Sequence, residues 1–238
     1  MTSRALATLL ALACVPLGAC AADTVLTFGP ALHVPAAALA PLVDRSRGLE
    51  LRSCADLIAA LHAGTDLGEL AESPRFKAYA DCMAAALVAE GRGASAAGFG
   101  LGHAGDHIYR DLDLASVASS LAPQRPSQHY RLRDFKFDSV RIEPLSVALS
   151  GNGFSYTFQV LAFGDFRHLG APELLVRFTD RATTGGTYDT QSVLVLHAAP
   201  SSSALQATDA IDVLKQASTA RRPAASVRAA RQVMRRPF

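Results

Sequence analysis

The spacing of apolar residues changes once along this chain, and that change decides the fold class. Between residues 53 and 121 apolar side chains recur every three or four positions, the spacing of helices with one buried face. From Phe135 onward they alternate every second residue, which is typical of half-buried strands. The sequence therefore predicts an α+β fold in which N-terminal helices precede a consecutive antiparallel β-sheet of about five strands.

Cap and turn residues delimit the predicted elements. Helices are predicted over 54–63, 74–91, 111–121 and 209–217. The signals are Ser at N-cap positions, Pro at the first helical position and Gly at helix ends. The stretch 91–105 is rich in Gly, Ala and Ser and is predicted to be a loop. In the second half, Ser150-Gly151-Asn152-Gly153 is typical of a hairpin turn between two strands.

The chain divides into five predicted parts. They are a signal peptide (1–19), a tether or arm that contains several Pro residues (20–50), a helical part (51–125), an antiparallel sheet part with a terminal helix (126–217) and a basic disordered tail (218–238). Of the 238 residues, 50% are hydrophobic and 18% are charged, which excludes a wholly disordered protein. The net charge of +2 becomes −5 without Arg4 of the leader and the six Arg residues of the tail, so the remainder is acidic.

The first twenty residues have the pattern of a secretory signal. Arg4 precedes an apolar run over 5–15 that is shorter than the ~20 residues of a membrane-spanning helix. Small residues that suit cleavage follow this run. The sequence therefore predicts export from the cytoplasm.

The segment Leu17-Gly18-Ala19-Cys20 resembles the lipobox of bacterial lipoproteins. The resemblance implies that Cys20 becomes the lipidated first residue and that this lipid anchor holds the protein on a membrane. It also implies an outer-membrane location in the periplasm, because Ala21 rather than Asp follows the cysteine. The alternative is ordinary signal-peptidase cleavage after Ala21, which leaves a soluble periplasmic or secreted chain.

Cys54 and Cys82 are the two cysteines beyond the leader. Export exposes them to an oxidising compartment, so the sequence predicts a disulfide between two helices. The two cysteines are 28 positions apart. In the chain-entropy model, a disulfide that closes a loop of this length stabilises the folded protein by roughly 3–4 kcal/mol. The alternative is two free buried thiols. A catalytic pair is not indicated, since the chain has no Cys-x-x-Cys motif.

The segment from Asp165 to Glu173 resembles the calcium loop of integrin-like FG-GAP or VCBS repeats. The resemblance assigns ligand positions to Asp165 and Glu173 and the turn glycine to Gly170. Arg167 and Leu169 stand where the family has two further acids. Calcium takes six to eight oxygen ligands, so two carboxylates predict poor binding. An ion pair of the two acids with Arg167 that holds the turn is the favoured interpretation.

His103 and His107 are four positions apart with Asp106 between them, which on a helix is a metal-ligand spacing. The neighbouring glycines favour a polar loop instead, so no metal site and no cofactor is predicted with them. The chain also lacks a Gly-x-Ser-x-Gly, a Walker loop and a His-Glu-x-x-His motif. No catalytic residues are predicted, and we expect a protein that is not an enzyme.

The C-terminal tail is strongly basic and contains no acid. Its arginines are Arg221, Arg222, Arg228, Arg231, Arg235 and Arg236. Such a segment binds an anionic surface, or it is a solvated tail without a partner. Export argues against nucleic acid as the partner.

These features predict an exported, lipid-anchored envelope protein that acts as a scaffold or binding module, with a membrane and an envelope protein or anionic surface as partners. The alternative is an envelope hydrolase or metal-dependent enzyme that uses the His103 and His107 region.

Overall fold

The computed structural model describes residues 24–32, 39–95, 101–121, 130–199 and 204–221. Within these ranges the protein contains both helices and an antiparallel sheet, which confirms the α+β class. No helix in the described ranges combines the length and the apolar character that are needed to cross a bilayer.

Short strands and helices are interspersed in the first half of the chain. They are β1 (Thr24–Val25), β2 (Thr27–Phe28), β3 (Leu42–Asp44), β4 (Leu49–Leu51), α1 (Cys54–His62), α2 (Glu69–Glu72), α3 (Ala80–Glu90), β5 (Ala94–Ser95) and α4 (Ala104–Asp111). The expectation that all strands follow the helices is therefore wrong here, and parts of the segment assigned to a tether form strands. The reason is tertiary, because β1 pairs with β5 and β2 pairs with a strand of the second half.

Helix α4 begins inside the stretch 91–105 that the sequence predicts to be a loop. Its second residue, Gly105, is buried, and a Cβ atom at this position would lie 2.1 Å from the carbonyl oxygen of Glu143. The backbone N–H of Gly105 donates to the carbonyl of Pro144 at 3.0 Å. The glycine therefore lets the helix pack closely against a turn of the sheet.

The helix predicted over 111–121 is wrong. Helix α4 ends at Asp111, and a single 3₁₀ turn over Leu114–Ser116 follows. The backbone N–H of Asp113 donates to the carbonyl of Leu205 at 2.8 Å instead of to a helical carbonyl. This contact with a distant strand ends the helix.

A seven-stranded antiparallel sheet occupies the second half of the chain. Its sequential strands are β6 (Ser139–Glu143), β7 (Ser146–Gly151), β8 (Phe154–Gly164), β9 (Glu173–Ala182), β10 (Asp189–Ala198) and β11 (Leu205–Asp209). Each of them pairs with its neighbour in sequence, and β2 joins the end of β8 as the seventh strand. The predicted count of about five is therefore too low, and it omits β11, a five-residue strand with a single large apolar side chain, Leu205.

Helices cover both faces of this sheet. Helix α5 (Ala210–Arg221) follows β11 and packs with α1 and α3 on one face, where Val195 and Leu214 are buried. Helix α4 and the 3₁₀ turns cover the other face, where Ile108 and Leu196 are buried. The continuous apolar run of β10 follows from this arrangement, because successive side chains enter opposite clusters.

Cys54 and Cys82 form the predicted disulfide. Their Sγ atoms are 1.99 Å apart and their Cα atoms 5.2 Å apart, and the bond joins the first residue of α1 to α3. It therefore crosslinks two of the three helices on one face of the sheet.

Candidate functional site

His103 and His107 lie at the start of α4. His103 is the exposed residue before the first turn, and Nδ1 of His107 lies 3.4 Å from a carboxylate oxygen of Asp111. The same carboxylate approaches Arg131 at 3.6 Å. Within the described ranges, no group of three or more His, Cys, Asp or Glu residues is arranged to hold a metal ion. His107 thus belongs to a group of partly exposed ion pairs.

The loop from Asp165 to Glu173 uses both carboxylates to hold its own backbone. The two oxygens of Asp165 accept hydrogen bonds from the N–H groups of Leu169 and Gly170, each at 2.9 Å. Oε2 of Glu173 accepts the backbone N–H of Arg167 at 3.0 Å, and Oε1 pairs with the Arg167 guanidinium. Both acids are buried. This is the turn held by an ion pair with Arg167 that the sequence favoured over a calcium site. The carboxylate oxygens of both acids accept hydrogen bonds from N–H donors.

The remaining sequence candidates fall mostly beyond the described structure. Cys20 and the arginines Arg222, Arg228, Arg231, Arg235 and Arg236 lie outside the described residues, and Arg221 is the last residue of α5. The best candidate for a functional site is therefore a cleft that the sequence did not indicate.

A polar cleft of about 700 Å³ opens beside the edge of the sheet. Strand β11 ends at Asp209, which pairs with Leu194, so the first residues of β10 extend beyond it. Oδ1 of Asp209 accepts the backbone N–H of Ile211 at 2.8 Å and so caps α5, which leads the chain away from the sheet. The segment after the 3₁₀ turn at 114–116 forms the opposite wall of the cleft.

Seven of the fifteen residues that line this cleft carry hydroxyl groups. They belong to Ser116, Ser119, Ser120, Tyr188, Thr190, Ser192 and Thr208. Ser116 fastens the wall to the sheet, because its Oγ accepts the backbone N–H of Ala207 at 2.8 Å and donates to the carbonyl of Asp113 at 2.6 Å. The wall is therefore anchored at one end by a side chain that also lines the cleft.

A buried carboxylate anchors the other end of the wall. Asp180 on β9 has no exposed surface and accepts the backbone N–H and the hydroxyl of Ser120, at 2.6 and 2.9 Å. The Tyr188 hydroxyl donates to the same carboxylate at 3.3 Å, and the Ser120 hydroxyl lies 3.1 Å from the Tyr156 hydroxyl. Burial raises the pKa values of Tyr156 and Tyr188, so both phenols remain protonated donors at neutral pH.

Two groups in the cleft are available to a ligand. Oγ of Ser119 is buried and has no hydrogen-bond partner in the part of the chain that the structure describes. Buried polar atoms nearly always have a partner, so an orphaned hydroxyl in a cleft indicates a binding position. The ring of Tyr188 is 41% exposed at the same cleft and offers an aromatic surface.

The charge of the cleft is negative. Glu72, Asp209 and Asp212 contribute carboxylates, and none of the described residues that line it is Lys, Arg or His. Burial, together with the nearby Asp212 carboxylate, raises the pKa of Asp209 to about 6. Anionic ligands are therefore disfavoured, and Asp209 changes its charge in the mildly acidic range.

Sequence reasoning missed this cleft for a physical reason. Its lining comes from α2, the segment over 116–120, β10, β11 and α5, which only the fold brings together. The cluster Ser116, Ser119 and Ser120 was the one local signal, and its spacing matches no known motif. No protein-family model, curated protein or solved structure matches this chain.

Proposed function

We propose that this chain is an exported, lipid-anchored envelope protein that binds a neutral, hydroxyl-rich ligand, a glycan segment, in the polar cleft. The observation that carries the proposal is the hydroxyl-lined cleft of about 700 Å³ with the orphaned Oγ of Ser119. This size lies within the range of ordinary ligand pockets.

The chemistry of the lining selects the ligand class. Hydroxyl and carboxylate side chains exchange hydrogen bonds with sugar hydroxyls, and the exposed carboxylate of Asp212 is an acceptor for such bonds. The exposed face of Tyr188 provides the apolar surface against which a sugar ring packs. Anionic ligands would lie beside the carboxylates of Glu72, Asp209 and Asp212, which disfavours nucleotides and phosphorylated compounds.

The proposed location follows from the leader alone. The lipobox-like segment ending at Cys20, with Ala21 after it, supports a lipid anchor in the outer membrane. Mass spectrometry of the membrane fraction should find a diacylglyceryl group on Cys20. A Cys20→Ser variant should leave the membrane fraction, and an unmodified wild-type chain that begins at Ala22 would contradict the anchor.

The ligand proposal is tested with an unlipidated chain that begins at Ala21 and so lacks Cys20. It is applied to an array of neutral and anionic oligosaccharides and then titrated by calorimetry with the neutral ones. Asp212→Ala, which removes an exposed carboxylate of the cleft, is expected to weaken binding at least tenfold, and Ser119→Val is expected to weaken it about fivefold.

Asp138→Ala is the matched control, because Asp138 is an exposed acid that does not line the cleft. This control is expected to bind as the wild type does. Binding of anionic sugars alone, or equal affinities for Asp212→Ala and the wild type, would contradict the proposal.

A further inference from the structure

A second cleft, of about 540 Å³, lies between the loop that follows β8 and helix α5. It is lined by the end of α3 with Arg92, by residues 166–169 of the loop, and by Val213, Gln216 and Ala217 of α5. This cleft, here called the loop cleft, shares no lining residue with the polar cleft. A ligand in the loop cleft would therefore be independent of the proposed glycan.

Backbone hydrogen bonds bring Arg92 and His168 to the loop cleft. Arg92 and Asp165 exchange two such bonds, at 2.8 and 3.1 Å, which join the segment after α3 to the start of the loop. His168 follows three residues later with a φ angle of 59°, in the left-handed region that few residues other than glycine adopt. The buried Asp165 carboxylate holds this conformation, because it accepts the N–H groups of Leu169 and Gly170 at 2.9 Å each. The loop thus fixes where both residues enter the cleft.

Nδ1 of His168 is a buried nitrogen that lacks a partner. The residue is half-buried, and this atom makes no hydrogen bond within the described ranges. Buried polar atoms nearly always have a partner, because an unpaired one has lost its hydration without compensation. Either ring nitrogen of a neutral histidine can carry the proton, so Nδ1 can donate to a ligand acceptor.

Arg92 supplies a cation that the folded chain leaves available. It is exposed, and its side chain forms no ion pair or hydrogen bond with a residue that the structure describes. The other arginine of the cleft is engaged, because Nε of Arg167 lies 2.5 Å from Oε1 of Glu173. The carboxylate of the cleft, that of Glu90, lies 3.1 Å from Nε2 of His62 on α1. A ligand therefore meets the guanidinium of Arg92 beside the orphaned nitrogen of His168.

This pair of groups selects a monoanion. A guanidinium binds a carboxylate through two parallel N–H···O bonds, and Nδ1 of His168 offers a third donor. The cost of dehydrating an anion rises with the square of its charge, whereas its attraction to one cation rises only in proportion to the charge. With Arg92 as the available cation, a dianion such as a phosphate monoester is disfavoured relative to a carboxylate.

The helix side of the loop cleft is apolar. Val213 and Ala217 are four positions apart on α5 and so lie on one face of the helix. Leu169, with a side chain that is 67% exposed, lines the same cleft from the loop. Each methylene group that a ligand buries against such residues is worth about a fourfold gain in affinity. A ligand that combines a carboxylate with an alkyl group matches both sides of the cleft.

We propose that the loop cleft binds a short-chain aliphatic monocarboxylate. Its carboxylate pairs with the guanidinium of Arg92 and accepts the Nδ1–H of His168. Its alkyl group lies against Val213, Ala217 and Leu169, and it displaces water from these side chains.

Calorimetric titration of the unlipidated chain from Ala21 with hexanoate tests the ligand class. Acetate keeps the carboxylate without the alkyl group, hexan-1-ol keeps the alkyl group without the charge, and inorganic phosphate tests a different anion. Hexanoate is expected to bind at least tenfold more tightly than any of the three. Absence of hexanoate binding, an equal affinity for acetate, or tighter binding of phosphate would overturn the proposal.

Arginine variants test where hexanoate binds. Arg92→Gln removes the available cation and is expected to weaken hexanoate binding at least tenfold. Arg75→Gln is the matched control, because Arg75 is also exposed, forms no ion pair with a described residue and does not line the cleft. This control is expected to bind as the wild type does. Equal affinities for Arg92→Gln and the wild type would overturn the assigned site.

The role of His168 is tested by His168→Gly, since glycine adopts the positive φ angle of this position without strain. This variant is expected to bind hexanoate about fivefold less tightly. Its NMR spectrum also identifies the imidazole ¹⁵N signals of His168 by their absence. In the wild type these signals are expected to shift as hexanoate saturates the protein, and in Arg92→Gln they should stay in place at the same concentration. Unshifted His168 signals in saturated wild-type protein would refute the contact.

Discussion

Asp180 holds Ser120 with both of its carboxylate oxygens. Oδ2 accepts the Ser120 backbone N–H at 2.6 Å, and Oδ1 accepts the Ser120 hydroxyl at 2.9 Å. The two residues are sixty positions apart in the sequence, and the carboxylate has no exposed surface. One buried acid on β9 thus positions the wall of the polar cleft.

Removing this acid should destabilise the protein. In Asp180→Ala, the Ser120 N–H and the Tyr188 hydroxyl lose their acceptor inside the protein, at a cost of about 2–3 kcal/mol in the free energy of unfolding. Urea denaturation measures this change. Asp180→Asn keeps one acceptor oxygen and should lose less, and a loss below about 0.5 kcal/mol in Asp180→Ala would contradict the assigned role.

Asp209 should make stability depend on pH. Burial raises its pKa to about 6, against an ordinary value of 3.8, so the folded state binds a proton more tightly than the unfolded state. This group therefore adds stability as the pH falls from about 6 to 4, and above pH 6 its charged form costs on the order of 2–3 kcal/mol. Asp209→Asn retains an N-cap acceptor and should be more stable than the wild type at pH 7.5.

The measurement for Asp209 is the difference in unfolding free energy between variant and wild type at pH 4.5 and pH 7.5. The difference cancels the opposite contribution of exposed acids such as Asp44 and Asp66, whose pKa values are lowered by hydrogen bonds. Asp212→Asn, at the exposed neighbour, is the control and should change stability by less than about 0.5 kcal/mol. If the difference in unfolding free energy between Asp209→Asn and the wild type is the same at both pH values, the raised pKa of Asp209 is contradicted.

The loop over 165–173 should depend on its ion pair and not on calcium. Glu173→Ala leaves the Arg167 guanidinium, whose side chain is 18% exposed, without its carboxylate and should cost about 3–5 kcal/mol. Glu173→Gln retains one acceptor oxygen and should lose less. Addition of calcium should leave the Tm of the wild type unchanged in scanning calorimetry, and a rise of several degrees would contradict this reading.

The disulfide should carry a large share of the stability. Cys54→Ala/Cys82→Ala is expected to lower the free energy of unfolding by about 3–4 kcal/mol, since the crosslink restricts the unfolded chain. Wild-type protein in reductant should approach the double variant, whereas the variant itself should not respond to reductant. An equal thiol titre of unfolded protein with and without reductant would rule out the bond.

Several features of the fold were predictable because local backbone preferences and simple counting specify them. Cys14 and Cys20 lie in the segment predicted to be a signal, so the sequence predicted a pairing of Cys54 with Cys82. The turn before β8 was readable from Asn152-Gly153, whose φ angles of 53° and 79° suit these residues. Alternation likewise located β7 and β8, because residues such as Val147 and Leu149 face the core while Ala148 between them is less buried.

Other features depend on partners that lie far away in the chain. Gly105 appeared to break a helix, yet it sits inside α4 because the turn at Glu143 and Pro144 packs against it too closely for a side chain. The strands β1 and β2 are two residues long each, and their hydrogen-bond partners are the distant strands β5 and β8.

By itself the sequence determined the α+β class, the disulfide partners and the acidic and basic division of charge. These depend on periodicity, composition and neighbouring residues, all of which are local. Only the tertiary structure decided that Ser119, Asp209 and Tyr188 line one cleft. The reason is that burial and strand register select contacts across the whole chain, and no local pattern records which distant residues will meet.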